Sequence, residues 1–172
     1  MISEADGSRS DGFRMKVFPQ GAPLELFEQP RTGFVAGFLG SPSINLVPAT
    51  LKTSGGCAAV VFQSGGALTL PNARAKLRTG ADGQEVLVGI RPQHFSRAGG
   101  GPPRDGVVSY SAVVDLIQPT GTRIFTTIKI GGVDAVAELQ AHDVSSHGER
   151  INLAIDLNRV VLIDPASGLV IS

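Results

Sequence analysis

The feature that most constrains the fold is a change in hydrophobic period at Asn45. From this residue onward, apolar and polar residues alternate in short runs, which is the period of a β-strand. Glycine pairs at Gly55-Gly56 and Gly65-Gly66 separate the first runs, and a glycine pair between two such runs is typical of a hairpin turn. No helical segments alternate with the runs, so the pattern predicts a mainly β fold of one or two small barrels and excludes a parallel nucleotide-binding sheet. The predicted strands are residues 46–53, 58–62, 67–70, 85–91, 107–117, 123–130, 133–139, 150–155 and 160–163.

The residues before Asn45 follow a different pattern. Residues 1–19 are rich in Ser, Gly and Asp, so we expect a disordered or atypical leader. Pro23 begins a short predicted helix, and a second helix is predicted over residues 32–39, where Thr32 is the N-cap. The chain is therefore expected to contain a leader, a helical junction over residues 20–44 and a β domain over residues 45–172. One apolar face of the junction consists of Leu24, Phe27, Phe34 and Phe38.

Residue patterns that carry chemistry are missing from the sequence. A P-loop needs glycine followed by lysine, and none of the 22 glycines is followed by lysine. The three histidines are isolated and Cys57 is the only cysteine, so the ligand spacing of a zinc site is absent. The serine-nucleophile pattern G-x-S-x-G is also absent. We expect no catalysis by this chain, and no cofactor or metal bound to it.

Charge and aromatic content argue against a nucleic-acid partner. The 15 Lys and Arg residues balance the 15 Asp and Glu residues, so no strong positive field collects phosphates. A barrel that binds single strands stacks bases on aromatic side chains. This sequence has one Tyr, no Trp and eight Phe, and four of the Phe residues lie in or near the predicted helical junction, away from the barrel. No apolar stretch approaches the roughly 20 residues that span a bilayer, and residues 1–11 form no signal peptide. We therefore expect a cytoplasmic protein.

Three stretches carry a resemblance to a known family. They are residues 20–30 (QGAPLELFEQP) with residues 34–42 (FVAGFLGSP), residues 88–94 (VGIRPQH), and residues 118–122 (QPTGT) with the runs that follow. Together they resemble the C-terminal region of the ATP-binding subunits of maltose-type ABC importers, which carry sugars or glycerol phosphate. The first stretch resembles the junction between the ATPase core and the regulatory domain of that family.

The resemblance implies a transport-associated OB (TOBE) fold that regulates the ATPase and stabilises its dimer. It implies an ABC ATPase domain and importer membrane subunits as partners, a homodimer in the full subunit, and a location at the inner membrane through those partners. The apolar face of the junction is expected to dock on the ATPase core. Gln93 departs from the family, where Glu is usual. The interface or regulatory candidates are Arg91, Gln93, His94, Gly121 and Thr122.

The sequence leaves several alternatives open. A second function is a small-anion-binding domain, with the anion near Arg91 or near the turn at Gly121 and Thr122. The chain is expected to be a truncated gene product, a frameshifted remnant or an excised domain, and the sequence does not separate these. It also leaves open the transported substrate and any regulatory ligand.

Overall fold

A computed structural model describes residues 42–54, 57–71, 82–99 and 104–171. The predicted leader and both predicted helices lie outside these ranges, as does the apolar face formed by Leu24, Phe27, Phe34 and Phe38. All nine predicted strands are confirmed, with ends that differ from the prediction by no more than about two residues. A tenth strand, residues Phe95–Arg97, was not predicted. The strands in chain order are β1 (Asn45–Ser54), β2 (Cys57–Phe62), β3 (Ala67–Thr69), β4 (Glu85–Ile90), β5 (Phe95–Arg97), β6 (Val107–Pro119), β7 (Arg123–Ile130), β8 (Val133–Gln140), β9 (Arg150–Asp156) and β10 (Val161–Ile163).

The strands form two five-stranded sheets. The first has the order β10-β4-β1-β2-β3, and the second has the order β5-β9-β6-β7-β8. Every strand pair recorded among the described residues is antiparallel. The predicted mainly β fold is confirmed. Within the described ranges, no helix has both the length and the apolar character needed to cross a membrane.

Glycine pairs make two of the tight hairpins. Gly65 and Gly66 join β2 to β3 with φ angles of 90° and 88°, and Gly131 and Gly132 join β7 to β8 with φ angles of 59° and 88°. At Gly131 and Gly132, which alone separate β7 from β8, two successive positive φ values match the right-handed twist of the flanking strands, and glycine adopts them without steric cost. In the β2–β3 connection the amide of Gly65 donates to the carbonyl of Phe62 at 3.1 Å, and the two glycines complete a longer loop. The predicted turn at Gly55-Gly56 lies outside the described residues, although β1 and β2 pair antiparallel on either side of it.

Alternation along the strands places one face of each sheet in a common core. On β1, Val47, Ala49 and Leu51 are buried and the residues between them are less so, as period-two patterning requires. The main cluster contains buried residues from all ten strands. A smaller cluster on the outer face of the first sheet centres on Ile44 and Ile163.

Two contacts join the sheets to each other. The side chain of Asn45, at the start of β1, donates hydrogen bonds from Nδ2 to the carbonyl of Ile90 (2.9 Å) and to that of Val136 (2.8 Å). Its Oδ1 accepts a hydrogen bond from the amide of Val136 at 2.7 Å. The side chain of Asn45 thus bonds to both the carbonyl and the amide of Val136, as the backbone of a neighbouring strand would. Val136 belongs to β8, the edge strand of the second sheet.

The second contact is the β7–β8 hairpin. A Cβ on Gly131 would lie 2.7 Å from Cγ1 of Val47 and 2.9 Å from Cδ1 of Phe62, both in the first sheet. These distances are shorter than van der Waals contact, so the hairpin reaches the first sheet only because residue 131 has no side chain. The sheets pack as one unit through these two contacts and the shared core.

Candidate functional site

The segment after β4 carries the chain from the first sheet to the second. Arg91 is extended, and Pro92 then begins a 3₁₀ turn that ends at His94. Pro92 suits this position because its fixed φ fits the first turn and its missing N–H would have no intrahelical partner. The amide of His94 donates to the carbonyl of Arg91 at 2.9 Å and closes the turn. The predicted candidates Arg91, Gln93 and His94 therefore lie together where the chain passes between the sheets.

A glycine allows this segment to pack closely. Gly89 pairs with Val161 of β10, and a Cβ on Gly89 would lie 2.6 Å from Cγ2 of Val161 and 3.0 Å from Cδ1 of Ile44. A side chain at position 89 would therefore displace the side chain of Val161 on β10. In the Gly-Ile-Arg-Pro sequence, the glycine thus allows β10 to pack closely, and the proline begins the 3₁₀ turn.

Arg91 is the only charged residue among the buried residues of the described ranges, and it is 5% exposed. Burial lowers the pKa of its guanidinium, because the charged form is less stable away from water. Arginine nevertheless stays protonated in proteins, so this position adds a fixed positive charge beside the turn.

His94 is half-buried, and its Nδ1 is buried with no hydrogen-bond partner among the described residues. The pKa of His94 is lowered to about 4, mainly because burial disfavours the charged form and also because Arg159 and Arg91 are positively charged, against a weaker opposite effect of Asp156. The imidazole is therefore neutral at pH 7. Arg159 and Arg91 place this imidazole in a positive electrostatic potential.

A cleft of about 510 Å³ lies beside His94, on the outer face of the second sheet. Its floor includes Ser96 of β5, Ala154 of β9 and Ser109 of β6, which lie opposite one another in register across the three strands. Gln93 and His94 line one part of it. Because the three floor residues are small, the sheet is recessed here and the side chains around it form walls.

Three arginines line the cleft, and two of them lie close to carboxylates. The Nε of Arg159 lies 3.4 Å from Oδ2 of Asp156, which also lines the cleft. Arg97 donates from Nη1 to the carbonyl of Asp143 and lies 3.7 Å from Glu149. Two of the guanidinium groups are thus held in place by carboxylates.

The third arginine, Arg104, is exposed and forms no ion pair among the described residues. The lining therefore carries three positive charges against one negative charge, that of Asp156.

The structure does not bring all the predicted site residues together. Gly121 and Thr122 form the exposed turn between β6 and β7, and neither lines the cleft that contains Gln93 and His94. In that turn the amide of Thr120 donates to the carbonyl of Arg123 at 2.8 Å. The regulatory role of the turn with Arg91, Gln93 and His94 and that of the turn with Gly121 and Thr122 therefore remain two separate predictions.

Sequence reasoning missed the three arginines of the cleft. Arg159 is distant in the sequence from Arg97 and Arg104, and the pairing of β5 and β6 with β9 brings the three to one cleft. The described residues contain no group of three His, Cys, Asp or Glu side chains placed to hold a metal ion. The chemistry available in the cleft is charge and hydrogen bonding by guanidinium, hydroxyl and imidazole groups.

Residues 40–95 of the chain match the family model of the MalK OB fold domain. The chain is also 34% identical over 150 residues to the sn-glycerol-3-phosphate import ATP-binding protein UgpC of Burkholderia ambifaria, a match that covers 86% of this chain and 39% of that protein. It is 29% identical over 145 residues to the sulfoquinovosyl glycerol transport ATP-binding protein SmoE of Agrobacterium fabrum, which covers 84% of this chain and 38% of that protein. The chain thus spans about two fifths of the length of the curated relatives that it matches.

A solved structure has the same fold at low sequence identity. The cytoplasmic molybdate-binding protein ModG, crystallised with molybdate, superposes with a TM-score of 0.52 and 17% identity. The match covers 69% of this chain and 94% of the ModG chain. It confirms the predicted OB-like architecture.

Proposed function

We propose that this chain, a relative of ABC importer ATP-binding subunits that carries a MalK OB fold domain, acts as the regulatory and dimer-stabilising portion of such a subunit. The observation that carries the proposal is how the match is distributed. The similarity covers 86% of this chain and only 39% of the Burkholderia ambifaria relative. The chain therefore corresponds to one part of an importer subunit.

We assign ATP hydrolysis to another part of such a subunit. The sequence has no P-loop, whose backbone amides and lysine would surround the phosphates of ATP. The two sheets described above are antiparallel and lack the parallel strand–loop–helix unit in which a P-loop sits. Purified chain should show no ATP turnover above the background of a mock preparation. Turnover that scales with the amount of this chain would contradict the assignment.

Rigidity is the property that a regulatory module of this kind needs. A partner that binds one face can influence a second face when the body between them moves as a unit. The pairing of Asn45 with Val136 and the contact of the Gly131 hairpin with the first sheet provide that connection. Gln93, Gly121 and Thr122 are exposed, so these candidates are available as contact points on two separate surfaces.

The partners proposed for the chain are an ABC ATPase domain, the importer membrane subunits and a second copy of the chain in a homodimer. These partners would hold it at the cytoplasmic side of the inner membrane. The apolar side chains Leu24, Phe27, Phe34 and Phe38 are the proposed docking face for the ATPase core. Binding through an apolar face is favoured because it removes these large side chains from water.

A chimaera tests the proposal directly. The corresponding C-terminal part of the Burkholderia ambifaria relative is replaced by this chain, and the product is expressed with the membrane subunits of that importer. We expect the chimaera to form a dimer, to co-purify with the membrane subunits and to hydrolyse ATP. A chimaera that carries ModG in the same place is the control, because ModG has the same fold at 17% identity.

The result is interpreted only if the grafted part is folded, which circular dichroism in the β region establishes. A folded chimaera that stays monomeric, or that performs no better than the ModG control, would refute the proposed role. Substituting Leu24 and Phe27 by serine in the chimaera should weaken assembly if those residues contact the ATPase core. If the substituted chimaera assembled as well as the unsubstituted one, the proposed docking face would be refuted, while the proposed regulatory role would stand.

A further inference from the structure

The cleft on the outer face of the second sheet has the features of a small-molecule site that the proposed transport role does not use. Its volume of about 510 Å³ lies within the range of about 300 to 1,000 Å³ typical of such sites. It is built by β5, β6 and β9 of one chain, so it does not depend on a second copy to be complete. We propose that this cleft binds a small phosphate or sulfate ester, with the anionic group held by Arg104 and Arg159.

Charge favours an anion in this cleft. Three arginines and one aspartate line it. Asp156 offsets Arg159 and the nearby Glu149 offsets Arg97, so Arg104 supplies the positive charge that has no carboxylate partner among the described residues. Arg91 adds a further positive charge close by, as its effect on His94 shows.

One of the two proposed anion ligands, Arg159, is also oriented by a neighbouring carboxylate. Arg159 contacts Asp156 through Nε, which leaves its Nη groups available as donors. Asp156 is itself fixed, since its Oδ1 accepts the amide of Asn158 at 3.1 Å. A guanidinium that is already fixed loses less side-chain entropy when it binds, and its planar fork matches two oxygens of a phosphate or sulfate group.

The floor of the cleft indicates what the rest of the ligand is. Ser96 and Ser109 place hydroxyl groups on either side of Ala154, and hydroxyls donate and accept hydrogen bonds. A free inorganic anion would fill only a small part of 510 Å³. A polyol or monosaccharide that carries one phosphate or sulfate group fits both the charge and the hydroxyl-lined floor.

His94 supplies a built-in reporter of binding. Its pKa is about 4, partly because Arg159 and Arg91 are positively charged. An anion bound beside Arg159 offsets that charge and raises the pKa of the imidazole. The binding claim itself rests on the cleft and its arginines, and it does not require the chain to belong to an importer.

The experiment is a titration of the purified, full-length chain followed by nuclear magnetic resonance and calorimetry. The probes are glycerol 3-phosphate, glucose 6-phosphate and inorganic phosphate, with glycerol and glucose as uncharged controls. We expect saturable shifts of the amide signals of Ser96, Ser109 and Ala154 with a phosphate ester and none with the uncharged controls. The imidazole signals of His94 should report a raised pKa in the bound state.

Arginine variants make the test specific. Arg159→Gln and Arg104→Gln should each weaken binding roughly tenfold or more, because each removes charged hydrogen bonds to the ligand. Arg123→Gln is the matched control, since Arg123 is exposed, pairs with Glu138 on another surface and does not line the cleft. The affinity of Arg123→Gln for the phosphate ester should equal that of the unchanged chain.

Two outcomes would overturn the proposal. One is the absence of saturable shifts at ester concentrations of about 10 mM, which corresponds to binding weaker than about 3 kcal/mol. The other is an equal loss of affinity in Arg123→Gln, which would mean that the anion binds through general surface charge. Inorganic phosphate that binds as tightly as the esters would overturn the assignment of an ester and leave the assignment of an oxyanion supported.

Discussion

The pairing of Asn45 with β8 leads to the sharpest stability prediction. Asn45→Ala removes three hydrogen bonds, to the carbonyl of Ile90 and to the carbonyl and amide of Val136. A hydrogen bond contributes a net of about 1 kcal/mol to stability. Losing it costs somewhat more than this when the partner group is left partly buried without a hydrogen bond. We therefore expect the free energy of unfolding to fall by about 3 kcal/mol.

Urea denaturation measures this change, and thermal unfolding provides a second reading. For a chain of this size, 1 kcal/mol corresponds to about 2–4 °C, so the melting temperature should fall by about 6–12 °C. Asn152→Ala is the matched control because Asn152 is exposed on β9. We expect that control to change stability by less than about 0.5 kcal/mol.

The variant Asn45→Asp separates the donors from the acceptor. A carboxylate still accepts from the amide of Val136, but it loses both Nδ2 donors and places negative charge against two carbonyl oxygens. At pH 7 it should be at least as destabilised as Asn45→Ala. Towards pH 4 its deficit relative to the unchanged chain should shrink, because a protonated carboxyl regains one donor.

The reasoning would be refuted if Asn45→Ala were no less stable than Asn152→Ala. It would also be refuted if the amide of Val136 exchanged its hydrogen equally fast in Asn45→Ala and in the unchanged protein. Either result would mean that this side chain does not hold the two sheets together.

Three further substitutions test other parts of the structure. Gly131→Ala should destabilise the protein by about 2–3 kcal/mol in urea, since a Cβ there meets the first sheet and the φ angle is positive. Gly121 also has a positive φ angle, 85° against 59° for Gly131, but has open space around it, so a loss in Gly121→Ala as large as that in Gly131→Ala would argue against the packing explanation. Gly89→Val should detach β10 and speed hydrogen exchange in that strand, and unchanged exchange would contradict the close approach. His94 has a folded-state pKa of about 4, below its ordinary value of 6.5, so the unfolded chain takes up the proton first as the pH falls. Stability should therefore drop between pH 6.5 and pH 4 by about 1–2 kcal/mol after allowance for solvent screening, and His94→Gln should remove this loss while His142→Gln, an exposed control, should keep it.

The strands were predictable because their signals are local. Alternation along β7 and β8, and the glycine pair between them, fix both the strand ends and the turn without reference to the rest of the molecule. β5 was not predicted because its own local signal is too short. It has three residues and only Phe95 of them is buried, which is too short a pattern to distinguish from a loop.

The candidate site was only partly predictable. The turn with Arg91, Gln93 and His94 is contiguous in sequence, and its resemblance to a known motif drew attention to it. The cleft beside it depends on Arg104 and Arg159, which belong to different segments of the chain. No local pattern marks either arginine, because each looks like an ordinary solvated charge in its own segment.

By itself, the sequence determined the class of fold, the positions of nine strands to within about two residues and the family resemblance, since these depend on period, turn chemistry and short motifs. Only the tertiary structure decided which strands meet, that Asn45 completes the edge of β8, and that a cationic cleft opens over Ala154. The physical reason is that register and sheet order arise from contacts between residues distant in the chain. A side chain acquires its partner, its burial and its electrostatic field only when those contacts have formed.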